Sequence, residues 1–210
     1  MQKLQSTLTN MLLSLGCITI VAAAALAGTN ILTKDTIAKA AAEKQTAAIS
    51  AVLPQHDRIA DAQEVNGMTI YRAYQGDQFV GAAVKAHDDN GFNGLIEVMV
   101  GFDANNTITE YVVLTQNETP GLGAKMSDWF RTKGNIKGKK ATGNFTVTKD
   151  GGDIDAITAA TISSRAFLRT VNAAYNALNN GAEVNAASGA SQLSEPVAET
   201  TNEEKEANNE

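Results

Sequence analysis

The chain opens with a long apolar segment. Thirty residues between Lys3 and Lys34 carry no charge, and residues 11–27 are the most apolar part. A helix that crosses a bilayer needs about 20 mostly apolar residues, whereas the apolar core of a signal peptide has about 7–15. The pattern therefore predicts a single N-terminal transmembrane helix. A cleaved signal peptide is the alternative, with Ala25-Leu26-Ala27 as its small-residue cleavage site.

An alanine-rich segment with helical spacing follows the apolar run. Within residues 35–52, apolar side chains such as Ile37, Ala48 and Ile49 recur at near-helical intervals. Alanine is the best helix former, and Pro54 cannot continue a helix. This segment is therefore predicted to be a helical stalk that continues from the membrane.

The middle of the chain alternates apolar and polar positions in the manner of β-strands. The predicted strands are residues 67–74, 79–84, 95–102, 107–115 and 145–148. An Asp/Asn-rich turn at residues 103–106 joins two of them into a hairpin. Helices are expected at residues 124–132 and 163–178. The pattern predicts an α+β fold class, with a small domain of antiparallel strands, flanking helices and the N-terminal membrane helix.

Charge separates the last part of the chain from the rest. From Gly181 onward there are seven acidic residues and one lysine, which account for the net charge of −6. This part has almost no large apolar side chains, so it cannot offset the entropy lost on ordering. We therefore predict a membrane anchor (1–33), a stalk (34–55), a folded domain (56–181) and a disordered acidic tail (182–210).

Composition also argues against several classes of function. Cys17 is the single cysteine, so neither an intramolecular disulfide nor a thiolate metal cluster can form, and no metal site is predicted. Aromatic residues make up 5% of the chain and no basic stripe is present, so nucleic acid is not an expected partner.

Two segments carry candidate chemistry, and the first is the sequence ETPGLG at residues 118–123. It follows a predicted strand and opens a predicted helix. Pro120 and Gly121 suit a turn, and Gly123 allows a backbone to approach a ligand closely. From these residues alone an ordinary strand–helix loop is favoured, since Pro-Gly turns are common.

The second segment, residues 153–165, is a run of small and hydroxyl side chains that enters a predicted helix. Asp155 lies six residues before Thr161, and the positive end of a helix favours a phosphate. From the residues alone, Ser and Thr as helix caps are the favoured interpretation.

Together, the two segments resemble a known family. The run Asp155-x-x-Thr158-Ala159-Ala160-Thr161 resembles the flavinylation motif Asp-x-x-Ser/Thr-Gly-Ala-Thr of FMN-binding domains, with Ala159 where the family usually has glycine. Residues 118–123 match the second signature of these domains, ETPGLG, and residues 94–102 resemble their Gly-x-Ile-x-Val-x-Val-Gly strand. Such domains occur in the G subunit of the Rnf ion-translocating oxidoreductase complex and in the C subunit of the sodium-pumping NADH:quinone reductase.

This resemblance implies a cofactor and the residues that hold it. In the family, a flavin transferase bonds FMN to the last threonine of the motif through a phosphoester, which here is Thr161. Asp155 and Thr158 match the motif positions that the transferase recognises. The redox chemistry belongs to the cofactor, so no catalytic residue is implied in this chain. The loop residues expected to line the isoalloxazine ring are Glu118, Thr119, Gly121, Leu122 and Gly123.

The resemblance also implies a role and a location. The chain is expected to be an electron-transfer subunit of a membrane-bound ferredoxin:NAD oxidoreductase complex, with other membrane subunits and lipid as partners. The C subunit of the quinone reductase, typically a longer chain, is one alternative; a non-redox anchored binding protein is another. The family is placed in the inner (cytoplasmic) membrane by a single span, with its domain on the periplasmic side. The lysines that flank the span do not by themselves support this orientation.

Overall fold

One long N-terminal helix precedes an α+β domain. The computed structural model describes residues 7–189, without the side chains of residues 181–189. Helix α1, Leu8–Val52, is continuous over 45 residues and covers both the predicted membrane helix and the predicted stalk. At 1.5 Å per residue it is roughly 68 Å long. It ends two residues before Pro54, as the sequence indicates.

The first part of α1 is apolar and uncovered. Its leucines and isoleucines, from Leu8 to Leu32, are all largely exposed to solvent in the isolated chain. The helix is long and apolar enough to cross a membrane, judged by length and composition. Exposed apolar surface on this scale indicates a lipid or protein environment for this segment.

Six antiparallel strands form the sheet of the domain. They are β1 Arg58–Ile59, β2 Gln63–Val65, β3 Met68–Gln75, β4 Gln78–Gly91, β5 Gly94–Asp103 and β6 Ile108–Gln116. The order across the sheet is β1-β3-β4-β5-β6, and β2 also pairs with β3. The α+β prediction is confirmed. Strands β1 and β2 were not expected, since two or three residues are too few to show an alternating pattern.

Alternation along β5 divides the side chains between two cores. Ile96, Val98, Val100 and Phe102 belong to the main core, where they pack with helix α3, Thr161–Gly189. Met99, between them, faces the other side of the sheet. Burying each such side chain contributes about 1.5–3 kcal/mol. The main core therefore fixes the position of α3 across the sheet.

The end of α1 packs on the opposite face of the sheet. Ala48 and Val52 are buried there with Ala83 and Met99. The Thr109 hydroxyl donates a hydrogen bond to the carbonyl of Val52, and a side chain at Gly101 would collide with that carbonyl. Helix α1 is therefore attached directly to the domain.

Three local predictions differ from the structure. Residues 145–148 do not form a strand: Val147 makes a single bridge to Ile154, and Thr148–Asp150 is a 3₁₀ turn closed by Gly151 at φ +84°. The helix expected at residues 124–132 is instead a 3₁₀ turn followed by the short helix α2, Met126–Trp129. After α2, backbone N–H groups bond to carbonyls three residues earlier, which gives turns and ends the α-helix. Helix α3 begins at Thr161 and continues to Gly189; residues 190–210 of the predicted tail lie outside the described residues.

A carboxylate on β6 is expected to make domain stability depend on pH. Glu110 accepts hydrogen bonds from Arg131 at 2.8 Å and Lys137 at 2.9 Å. Burial alone raises the pKa of Glu110, but the hydrogen bonds from Lys137 and Arg131 outweigh it and lower the pKa from 4.5 to about 2. Because the folded-state pKa is depressed, the stabilisation is complete above the unfolded pKa and is lost as the pH falls toward 2.

Glu110→Gln should therefore lower the free energy of unfolding by about 1–2 kcal/mol at pH 7 and by much less near pH 2. Urea denaturation at both pH values measures this. Glu97→Gln is the matched control, since Glu97 pairs with a single lysine, Lys85, at 3.2 Å. An equal loss at both pH values for Glu110→Gln would contradict the assignment.

Candidate functional site

A cavity of about 250 Å³ lies where three segments meet. They are the turn between β4 and β5, the loop after β6, and the start of α3. The volume is slightly below the 300–1,000 Å³ typical of small-molecule sites, which suits a ligand that stays partly exposed. The residues that line the cavity are Phe92, Glu118, Thr119, Leu122, Gly123, Ala159, Ala160, Thr161, Ile162 and Ser163.

Glu118 connects the three segments. Glu118 is 5% exposed, and its Oε2 accepts a hydrogen bond of 2.8 Å from the Ser163 hydroxyl on α3. Its Oε1 accepts a 3.3 Å hydrogen bond from the backbone N–H of Asn93 in the β4–β5 turn. The Asn93 side chain in turn donates to the carbonyl of Asn117. The loop after β6 is therefore fixed to both other walls of the cavity.

Two glycines make room for this carboxylate. A Cβ at Gly123 would lie 2.5 Å from the Ser163 hydroxyl oxygen and 2.7 Å from Glu118 Oε2. A Cβ at Gly91 would lie 2.6 Å from Glu118 Oε1. The close approach expected at Gly123 therefore involves neighbouring side chains of the same chain. Among the described residues, no atom lies near the missing Cβ of Gly121, and its φ of +79° shows that the turn requires glycine.

The hydroxyl of Thr161 lies at the first residue of α3, beside a cation. Lys149 Nζ is 3.4 Å from Thr161 Oγ1. The turn that carries Lys149 is held to α3 by two hydrogen bonds from Arg165 to Asp150, of 2.6 and 2.7 Å. These bonds lower the pKa of Asp150 and raise the pKa of Arg165, so the pair stays charged. Free N–H groups at a helix start, together with an ammonium, suit a phosphate group.

Apolar side chains surround the opening of the cavity. Phe92, Leu122 and Ile162 are 63%, 39% and 50% exposed. Large apolar side chains gathered around one opening indicate a surface that a ligand or a partner covers. A flat aromatic ring would be covered by these three side chains, while a phosphate on the same molecule could reach Thr161. The residues present therefore fit FMN.

The structure brings together five of the eight residues predicted for the site. Glu118, Thr119, Leu122, Gly123 and Thr161 all line the cavity. Gly121, Asp155 and Thr158 do not line it. Asp155 and Thr158 are exposed, and the Trp129 indole donates a 2.7 Å hydrogen bond to the carbonyl of Asp155. This placement suits recognition by another protein better than contact with a ring, and the roles of all eight residues stay predictions.

Four residues at the site lie outside the two motifs and are not predicted from the sequence. Phe92 is a lone aromatic residue in a Gly-Phe-Asn-Gly turn between two strands, which was an available signal. Ser163 lies in the segment 153–165, where the sequence favours a capping hydroxyl and does not indicate its bond to Glu118. Ile162 directly follows the motif, but no pattern in the sequence indicates a role for it. Lys149 approaches Thr161 only through the turn at Thr148–Asp150, and no local pattern indicates this contact.

Ala159, which stands where the family motif usually has glycine, adopts a strained backbone conformation. Ala159 has φ +60°, in the left-handed region that favours glycine, so its Cβ is strained. Ala159→Gly should raise the free energy of unfolding by about 0.5–1 kcal/mol, as measured by urea denaturation. Ala160→Gly is the matched control: Ala160 is buried and does not have positive φ, so glycine there should destabilise the domain. A loss of stability in both variants would contradict the account of Ala159.

Comparison with known proteins identifies the family to which the segment containing the cavity belongs. A family model described as an FMN-binding domain matches residues 91–176, which include every residue that lines the cavity. The G subunit of the ion-translocating oxidoreductase complex of Escherichia coli (strain K12) is 37% identical over 167 residues, covering 70% of this chain and 80% of the relative. The G subunit of Yersinia pestis is 35% identical, covering 68% and 76%, and that of Aliivibrio fischeri 34%, covering 77% and 86%.

Proposed function

Because this chain belongs to the family of G subunits of the ion-translocating oxidoreductase complex and contains an FMN-binding domain, we propose that it holds FMN covalently, through a phosphoester at Thr161. The observation that supports this most is the position of the Thr161 hydroxyl. It lies at the start of α3, lines the cavity, and is 3.4 Å from Lys149 Nζ. A phosphoester at this oxygen would have a cation and a helix N-terminus beside it.

The chain is a subunit of a membrane electron-transfer complex, and its flavin serves as one relay within it. FMN accepts and donates the electrons, while the protein supplies position and electrostatics. Phe92, Leu122 and Ile162 would cover the ring, and Thr119 would offer its hydroxyl to the polar edge. The chain turns over no substrate alone, and the complex transfers electrons between ferredoxin and NAD while it translocates ions.

Attachment of the flavin requires a second protein, a flavin transferase. Asp155 and Thr158 would be recognised by that enzyme; both are exposed, and neither lines the cavity. The hydrogen bond from Trp129 to the Asp155 carbonyl would hold this segment in place for recognition.

Helix α1 would cross the inner membrane once, with the domain on the periplasmic side and the other membrane proteins of the complex around the span. The exposed apolar residues in the first part of α1 support a lipid or protein environment. The packing of Val52 against the sheet would then hold the flavin at a set height above the membrane.

The alternatives receive less support. The relatives are named as G subunits of an ion-translocating oxidoreductase complex, which favours this complex over the sodium-pumping quinone reductase. A non-redox anchored binding protein fits less well with the match of residues 91–176 to an FMN-binding domain.

Expression of the full chain in membranes, with and without a flavin transferase, tests the proposal. We expect a fluorescent flavin band at the mass of this chain on a denaturing gel, only when the transferase is present. Other membrane proteins of the complex should co-purify with the chain in mild detergent. A chain that stays non-fluorescent with an active transferase would contradict covalent attachment.

A further inference from the structure

One side chain stands out among those that line the cavity. Within the described residues, Glu118 is the only ionisable side chain in the lining; the others are apolar, hydroxyl-bearing or glycine. Its residue is 5% exposed. No lysine or arginine among residues whose side chains are described lies within ion-pair distance of it.

The hydrogen bonds of Glu118 come from neutral groups. Ser163 donates to Oε2 and the N–H of Asn93 donates to Oε1, so both oxygens of Glu118 accept hydrogen bonds. Neither donor carries a charge that would cancel that of the carboxylate. Gly91 and Gly123 leave space for the group and confine it to this position. In a largely apolar cavity such a charge interacts more strongly with other charges than it would in water.

We propose that Glu118 lowers the reduction potential of the flavin bound in this cavity. The inference rests on the proposed function, because it concerns the same FMN. On reduction the ring takes up two electrons and one proton, and so gains one negative charge. The carboxylate opposes this added charge, which disfavours reduction. Lys149 is beside Thr161 and would face the phosphate, and it does not line the cavity.

The alternative is a purely structural role, in which Glu118 only connects the walls of the cavity. Two variants separate these roles. Glu118→Gln keeps the shape and a carbonyl acceptor for Ser163 but removes the charge. Ser163→Ala removes the 2.8 Å hydrogen bond and leaves the carboxyl group of Glu118 in place. A structural role predicts that both variants change the reduction potential of the flavin similarly. A charge effect predicts that Glu118→Gln alone raises it.

The experiment is a spectroelectrochemical titration at pH 7 of the flavinylated full-length chain in detergent, in which the electrode supplies the electrons. At the potential that half-reduces the wild-type flavin, Glu118→Gln should show a reduced-to-oxidised ratio about tenfold higher. Ser163→Ala should show no increase. An unchanged ratio in Glu118→Gln, or an equal rise in Ser163→Ala, would overturn the inference.

Intact mass, measured first, distinguishes failure of the proposed function from failure of this inference. A wild-type chain without an FMN adduct would contradict the proposed function, whereas a loaded Glu118→Gln chain with unchanged potential would contradict only this inference. If Glu118→Gln fails to fold, Ile162→Lys and Ile162→Glu place opposite charges at the opening of the cavity. The lysine variant should raise the ratio and the glutamate variant should lower it. Identical reduced-to-oxidised ratios in the two variants would show that a charge in the cavity wall does not change the flavin's reduction potential, which would overturn the inference.

Discussion

Thr161→Ala is expected to abolish the covalent flavin completely. The nearby serine hydroxyls cannot substitute: Ser163 is buried and donates to Glu118, and Ser164 is buried and donates to the carbonyl of Ala160. Thr158 is exposed but does not line the cavity. Thr161→Ser should retain part of the modification, because serine keeps the hydroxyl.

Intact mass after co-expression with a flavin transferase measures this effect. Thr161 is partly exposed and its side chain makes one long contact, so the alanine variant should fold with nearly unchanged thermal stability. Thr132→Ala, at an exposed threonine outside the cavity, is the matched control and should carry the full adduct. A folded Thr161→Ala chain that still carries FMN would show that another hydroxyl is the attachment site.

Gly123→Val is expected to destabilise the domain by about 2–4 kcal/mol and to close the cavity. A Cβ at this position would lie 2.5 Å from the hydroxyl oxygen of Ser163, which is buried. The valine must displace Ser163 or Glu118, which combines overpacking with the loss of a buried hydrogen bond. Any flavin still attached at Thr161 should then be more exposed and more mobile.

Urea denaturation of the unmodified protein and fluorescence anisotropy of the flavinylated protein measure the two effects. Gly121→Ala is the matched control in the same loop: no atom of the described part of the chain lies within 4 Å of its added Cβ. Only the strain of φ +79° remains, about 1 kcal/mol. Equal losses of stability in Gly123→Val and Gly121→Ala would show that close packing at Gly123 is not the reason for glycine there.

Much of the fold follows from patterns that repeat over many residues. Helix α1 could be predicted because a long run without charge leads into an alanine-rich segment, and Pro54 limits its end. Strand β5 could be predicted because Ile96, Val98, Val100 and Phe102 alternate with residues of the other face. A periodic pattern of apolar positions over this many residues indicates a helix or a strand even where single residues depart from it.

The rest depends on contacts between segments that are distant in sequence. Val147 has the character of a strand residue, but it pairs with Ile154 alone and never joins the sheet. Gly123 is compatible with a turn, with a bound ligand or with a neighbouring side chain, and only the fold identifies Ser163 and Glu118 as its neighbours. Phe92 joins the site only because the β4–β5 turn folds beside the loop after β6.

Peptide mapping by tandem mass spectrometry identifies the residue that carries the flavin. The wild-type chain would be isolated from membranes that contain the transferase, denatured and digested. We expect FMN as a phosphoester on Thr161, and on no other hydroxyl among residues 158–164. An unmodified peptide from this region, with all of the flavin released on denaturation, would contradict the account.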